Sequence, residues 1–200
     1  MKGSTYMSEK LILASASPRR KEILNTAGYS YEIIPSNASE MTDGLNADEL
    51  VMKNALAKAL DVYSRVGKED VVLGADTVVC LNGKILGKPE SESDAFTMLK
   101  NLSNRGHEVL TGYAVVGKTG NECGVCTTKV KFKALTDDEI WSYIKTNEPM
   151  DKAGAYGIQE RACIFAESFE GDFFNIIGLP IARIYPLLSE FGILPDWQRK

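Results

Sequence analysis

The sequence predicts an α/β fold: a mixed central sheet flanked by helices. Short, apolar, β-branched runs alternate with segments of helical period, the pattern of sheet and helix layers packed on one another. An Asn-Gly pair at 82–83 joins two apolar runs as a hairpin, so part of the sheet has to be antiparallel. The chain has 200 residues, 44% of them hydrophobic, which is enough for a substantial core.

Leu11-Ile-Leu-Ala14 opens as a short strand and runs into Ser15-Ala-Ser17-Pro18. Ser17 as N-cap and Pro18 as first helical residue predict a helix that carries Ile23, Leu24 and Ala27 inward and ends at Gly28. Tyr31 to Ile34 reads as a second strand. Asn46-Ala-Asp-Glu49 resembles a capping box and starts a long helix with Leu50, Leu56, Leu60 and Tyr63 as its apolar positions. Val71 to Leu81 is a buried strand that turns at Asn82-Gly83 and returns through Ile85 and Leu86. Ser91 to Leu102 is a helix with Ala95, Met98, Leu99 and Leu102 on one face. Strands are expected over Val109–Val116 and Val125–Ala134. Thr136-Asp-Asp-Glu139 caps a further helix that ends before Pro149. A glycine-containing loop over Asp151–Gln159 precedes an expected strand near Cys163–Ala166. Phe173–Ile177 reads as a last strand and Pro180–Phe191 as a last helix. No repeat or linker divides the chain, so residues 10–200 read as one domain behind an extension over residues 1–9.

Composition narrows the function. With 23 basic and 27 acidic residues the net charge is −4, against the basic excess of proteins that neutralise nucleic-acid phosphates. The longest stretch without Asp, Glu, Lys or Arg, Phe173 to Ala182, falls far short of a membrane span, and residues 1–8 lack the apolar stretch of a secretory signal. A cytoplasmic protein without a membrane partner is the expectation. Cys123 and Cys126 have C-x-x-C spacing without a second pair, and His107 is the single histidine, so a structural zinc site is disfavoured and the cysteines read as ordinary thiols. No G-x-S-x-G elbow accompanies His107, which argues against a Ser-His-Asp hydrolase. A metal would be held by carboxylates and substrate oxygens, which suits Mg²⁺ or Mn²⁺.

Four places break the local rules. Arg19, Arg20 and Lys21 crowd the first turn of the first helix, where the macrodipole opposes positive charge. They form either a solvated patch or, with the free N–H groups of the helix start, an anion site. Asp76 interrupts an apolar strand and has to meet a cation, a metal or water there, as a structural ion pair or as a catalytic or metal-holding carboxylate. Lys88, in Gly87-Lys-Pro89, is carried back toward Asp76 by the hairpin. Asp151-Lys-Ala-Gly-Ala-Tyr-Gly-Ile-Gln159 packs an acid, a base, an amide and two glycines into one loop.

These segments resemble the Maf family of nucleoside triphosphate pyrophosphatases from about Lys10 to about Phe191. The marks are Leu13-Ala-Ser-Ala-Ser-Pro-Arg-Arg20, Gly74-Ala-Asp-Thr77, Leu86-Gly-Lys-Pro89, Thr111-Gly112, Glu148-Pro-Met-Asp-Lys-Ala-Gly-Ala-Tyr-Gly-Ile-Gln159 and Asn175-Ile-Ile-Gly-Leu-Pro180. The resemblance implies two lobes around a cleft, as in inosine triphosphate pyrophosphatases, a divalent metal, and often a homodimer. It implies cleavage of a nucleoside triphosphate between the α- and β-phosphates. By the same resemblance Asp76 is the proton acceptor, and Ser15, Ser17, Arg20, Lys58, Lys88 and Lys152 contact substrate or phosphate. Glu40, with Asp76, lies near the metal. Arg19, Thr77 and Gln159 stand where the subfamily acting on dTTP and UTP is distinguished; the 7-methyl-GTP subfamily carries Trp, Gln and Glu there. Asn104 departs from the family's glycine, and the stretch around Glu40 is less acidic than is common.

The residue types suit that chemistry. Triphosphate hydrolysis needs cations on phosphate oxygens, a metal, and a group that deprotonates or orients water. Asp76 can take the proton or hold the metal, and the sequence leaves both open. A nucleotide-binding regulator of cell division with little turnover is the alternative. A single-stranded nucleic-acid binder is disfavoured by the charge and by the lack of aromatic residues among basic ones.

Overall fold

The computed structural model describes residues 9–42 and 45–199; the extension expected over residues 1–9 lies, apart from Glu9, outside the described residues. Seven strands form one mixed sheet: β1 (Leu11–Leu13), β2 (Tyr31–Ile33), β3 (Val71–Leu81), β4 (Lys84–Leu86), β5 (Gly106–Gly117), β6 (Gly120–Phe132) and β7 (Ala166–Glu170). Their order is β2-β1-β3-β5-β6-β7, with β4 on β3. The β1 pairings with β2 and β3 are parallel and the remaining pairings antiparallel, as the mixed reading requires. Asn82 and Gly83 both take positive φ (51° and 77°), the conformation of the tight hairpin expected there.

Strand β3 organises the molecule. β1 pairs with its first three residues (71–73) and β4 with its last three (79–81). Both use the edge opposite β5, so residues 74–78 have no strand partner on that edge among the described residues. On one face, Val71, Leu73 and Ala75 belong to a core with β1, α1 (Pro18–Thr26) and α6 (Ile181–Glu190). Val79 and Leu81 belong to another with α3 (Glu92–Leu102) and α4 (Asp137–Ile144), and Thr77 stands between the two. On the other face Val72 and the pair Val78 and Cys80 pack in two clusters under α2 (Ala47–Tyr63), with Asp76 between them. Both polar residues fall at the waist where the apolar clusters part, and this division gives the two lobes.

Helix α2 lies very close to the sheet. A Cβ on Gly74 would collide with the Ala55 carbonyl oxygen, and one on Gly112 with the Val51 backbone. Its buried face is Leu50, Val51, Asn54, Ala55, Ala59 and Val62, whereas Leu60, expected inward, is 44% exposed. Close approach demands small residues at the contact, so of the expected leucines Leu50 is buried while Leu56 is only partly buried and Leu60 lies outside.

Three local expectations are corrected. Ser17 occupies the N-cap position of α1 but makes no side-chain cap; Ser15 Oγ instead accepts from Ser17 N at 3.2 Å. Phe173–Ile177 is a helix, α5, because Asp172 caps the N–H groups of Phe174 and Asn175 and Gly178 closes it with φ 117°. A short apolar run does not by itself separate strand from helix. The strand expected near Cys163–Ala166 begins only at Ala166, after a 3₁₀ turn over Arg161–Ile164. Asn104 adopts φ 56°, which explains the glycine customary there.

Candidate active site

A cleft of about 860 Å³ opens into the gap on the free edge of β3, between the end of β1 and β4. It is lined by Ser15, Ser17, Arg19, Arg20, Glu40, Lys58, Asp76, Thr77, Lys88, Lys152 and Gln159, so the fold brings every residue expected at the site to one place.

On the α2 face, Asp76 is buried and held from both sides. Lys58 Nζ lies 2.7 Å from Asp76 Oδ1 and 2.6 Å from Glu40 Oε1. Asn54 Nδ2 donates to Asp76 Oδ2 at 3.0 Å. Asn54 and Lys58 are one turn apart on the inward stripe of α2, and the glycines at 74 and 112 let both reach the strand. The ammonium that meets Asp76 is thus that of Lys58; Lys88 lines the same cleft and makes no ion pair among the described residues.

The segment carrying Glu40 is strapped along α2. Asp61 accepts from Ser36 Oγ and Asn37 N, and Arg65 donates to the Pro35 carbonyl. At the other end Asn54 Oδ1 accepts from Met41 N at 2.8 Å and its Nδ2 donates to Met41 O at 3.1 Å. Glu40 therefore sits over Lys58, between the two anchors. The hydrogen bond from Lys58 outweighs partial burial and holds the Glu40 carboxyl below its ordinary range, with Lys88 and Arg20 adding their charge. Asn54 had no role in the sequence reading. A polar residue within the small-residue stripe that faces the sheet was the signal for it.

On the opposite face Arg20 donates from Nε to the Gly178 carbonyl (2.9 Å), from Nη1 to Ser15 Oγ (3.0 Å) and from Nη2 to Thr77 Oγ1 (3.3 Å). All three acceptors are neutral. Burial lowers the guanidinium to about 10 against the attraction of Asp76, leaving it charged at neutral pH. A fixed cation without a carboxylate partner is what an anion site needs.

The loop over residues 148–160 closes a third side. It docks through Gly154 N, which donates to the Gly87 carbonyl at 2.9 Å; Gly154 has φ 67° and packs on Val79. Lys152 is placed differently from a free phosphate contact. Its side chain is only 6% exposed, and its ammonium is bonded to the Glu148 carbonyl, Asp151 and Glu160, so it braces the loop from inside. Arg19 Nη1 lies 3.9 Å from Asp151 Oδ2, and Gln159 Nε2 donates to Glu22 at 3.5 Å, both weak contacts at the cleft rim.

The other candidate centres are structural. His107 is buried with Nε2 2.7 Å from the Tyr156 hydroxyl, and desolvation takes it down to about 4. Cys123 and Cys126 are three apart on β6 and point to opposite faces, into different cores, so they remain thiols. Among the described residues no three or more His, Cys, Asp or Glu side chains form a metal-holding group, and no helix is long and apolar enough to cross a membrane.

A family model described as Maf-like protein matches residues 10–191. A dTTP/UTP pyrophosphatase of Thermococcus kodakarensis is 51% identical over 182 residues, covering 91% of this chain and 96% of that one. Another, of Acetivibrio thermocellus, is 48% identical over 193 residues, 92% and 96% of the two chains. Among solved structures, a HAM1 protein from Coxiella burnetii superposes with a TM-score of 0.50 at 15% identity, over 91% of this chain and 99% of that one, a likeness of fold.

Proposed function

The chain belongs to the Maf-like family, and from that membership and the cleft we propose that it hydrolyses dTTP and UTP to the monophosphate and pyrophosphate. Residues 10–200 act as one catalytic unit. The observation that carries the reading is Asp76, a buried carboxylate on the same cleft as Arg20, Lys58 and Lys88.

Asp76 takes the proton of the attacking water as its oxygen bonds to the α-phosphorus. The bond from that phosphorus to the bridging oxygen breaks, and pyrophosphate leaves with the electron pair. Arg20 and Lys88 meet the phosphate oxygens on which negative charge grows, with Ser15 and Ser17 beside them at the helix start. Lys58 keeps Asp76 and Glu40 in register until the triphosphate competes for its ammonium. Arg19, Thr77 and Gln159 face the remainder of the nucleotide and select it.

The donor set fits a divalent cation that arrives with its substrate. Asp76 and Glu40 each place one carboxylate oxygen on the same ammonium, so two hard oxygen donors converge on one point. Phosphate oxygens and water would complete the shell of Mg²⁺ or Mn²⁺. When bound, such an ion supplies charge neutralisation on the phosphates. The test is pyrophosphate release from dTTP and UTP with and without Mg²⁺. Absence of release under both conditions from folded protein would remove the hydrolase reading.

A further inference from the structure

Thr111 is fully buried and lies opposite Thr77 across the β3–β5 pairing, so it cannot touch a ligand itself. Three contacts run in line from the cleft inward. Arg20 Nη2 lies 3.3 Å from Thr77 Oγ1, Thr77 Oγ1 lies 2.9 Å from Thr111 Oγ1, and Thr111 Oγ1 lies 3.0 Å from the Asn175 carbonyl oxygen. The two ends decide the middle. A carbonyl oxygen only accepts, a guanidinium only donates, and each threonine hydroxyl has one proton. Thr111 therefore donates to Asn175, and Thr77 donates to Thr111. Arg20 takes one lone pair of Thr77, and its second lone pair is left for the cleft.

The inner end of this chain does not turn. Asn175 is fully buried, and its side-chain amide donates to the Val109 carbonyl and to Thr128 Oγ1, both at 2.9 Å. The Asn175 carbonyl is accordingly held on Thr111.

We propose that Thr111 is a positioning residue that sets the polarity of the Thr77 hydroxyl, so that Thr77 meets the nucleotide only as a hydrogen-bond acceptor. The proposal rests on the nucleotide reading above and names the chemistry Thr77 selects: a neutral donor on the ligand. The donors shared by UTP and dTTP are the N3–H of the base and the 3′-hydroxyl of the sugar. At N3, cytosine carries a lone pair instead, which an acceptor cannot pair.

Binding tests this without relying on turnover. Calorimetry would compare the α,β-imido analogue of UTP with its 3-methyluridine and 3′-deoxy counterparts. The wild type should lose on the order of tenfold in affinity for one of the two altered ligands, the effect of one neutral hydrogen bond, and which one identifies base or sugar. Thr111→Val keeps the shape and frees the Thr77 proton to turn toward the cleft, so the loss should shrink to about twofold, while Thr111→Ser should restore it. A steric effect of the methyl group would persist in Thr111→Val. Equal binding of all three ligands by the wild type overturns the proposal, as does undiminished discrimination in Thr111→Val or failure of Thr111→Ser to restore it. If Thr111→Val does not fold, Thr111→Ala, which also removes the acceptor of the Thr77 proton, carries the same test, and undiminished discrimination there overturns the proposal. Binding with this pattern but no hydrolysis of UTP would sink the hydrolase reading alone, and no binding of any ligand would sink both.

Discussion

Asp76 and Thr77 are consecutive in β3 and point to opposite faces of the sheet, yet both open into the same cleft. The gap between β1 and β4 makes this possible, since a ligand entering along a strand's free edge reaches both faces at once. One face presents Asp76 with Lys58, Asn54 and Glu40; the other presents Thr77 with Arg20 and Ser15. The Asp76–Lys58–Glu40 ion-pair group and the Arg20 guanidinium are thereby kept on separate sides of one strand, so Arg20 is bonded to neutral acceptors instead of a carboxylate.

Replacing Asp76 by Asn should lower turnover by roughly 10²–10⁴-fold, the usual worth of a positioned general base. The fold should survive, since the amide keeps the shape of the carboxylate. Steady-state pyrophosphate release by the purified variant checks this, and near-native turnover would make Asp76 a purely structural partner of Lys58.

Arg20→Ala and Lys88→Ala each remove a cation from oxygens whose charge grows toward the leaving group, so kcat should fall more than nucleotide affinity does. Arg20→Ala should be the more damaging for the fold as well, because it takes the side-chain donor from the Gly178 carbonyl and unties Ser15 and Thr77 from the helix start. A raised KM with kcat unchanged would show uniform binding instead.

Gly112→Ala tests the close approach of α2. The added methyl meets the Val51 backbone, which moves only with the helix, so a loss of about 1–3 kcal/mol from overpacking is expected. Activity should fall beyond what the unfolded fraction explains, because Asn54 and Lys58 retreat from Asp76 with the helix. Urea unfolding and turnover measured on the same preparation separate the two effects.

His107 predicts a pH effect on stability. Its folded value is depressed to about 4 by burial from an ordinary 6.5, so the unfolded chain binds the extra proton first. The stability this neutral histidine contributes is present above pH 6.5 and is lost as pH falls toward 4, by about 3 kcal/mol in full. Unfolding free energies of wild type and His107→Gln, measured across that range, should converge as pH drops. A constant difference between them would refute the assignment.

Substrate choice is the fifth expectation. Arg19 offers only donors, suited to a carbonyl oxygen, and the Gln159 amide can both accept and donate, which matches the uracil and thymine edge better than that of cytosine. In a panel of triphosphates dTTP and UTP should lead. Equal rates for CTP and UTP, or a preference for 7-methyl-GTP, would refute this pairing.

Much of this protein was legible in its residues. The helix starts at Asn46, Ser91 and Thr136 are written in capping side chains that accept from the backbone three positions on, and the 82–83 turn in a dipeptide that favours two positive φ values. These are local effects, decided by groups a few bonds apart. Asp76 announced itself because a carboxylate in an apolar strand has to be answered by something. What answers it was decided only by the tertiary structure, since Lys58 and Asn54 reach Asp76 through the close approach that Gly74 and Gly112 allow. The same holds for Lys152, turned inward by three acceptors from its own loop, and for Phe173–Ile177, wound into a helix whose Asn175 is paired by Val109 and Thr128. Spacing along a chain sets which groups exist and which face they take, but the partner of a buried polar group is whatever long-range packing brings within 3 Å, and that follows from the fit of whole elements.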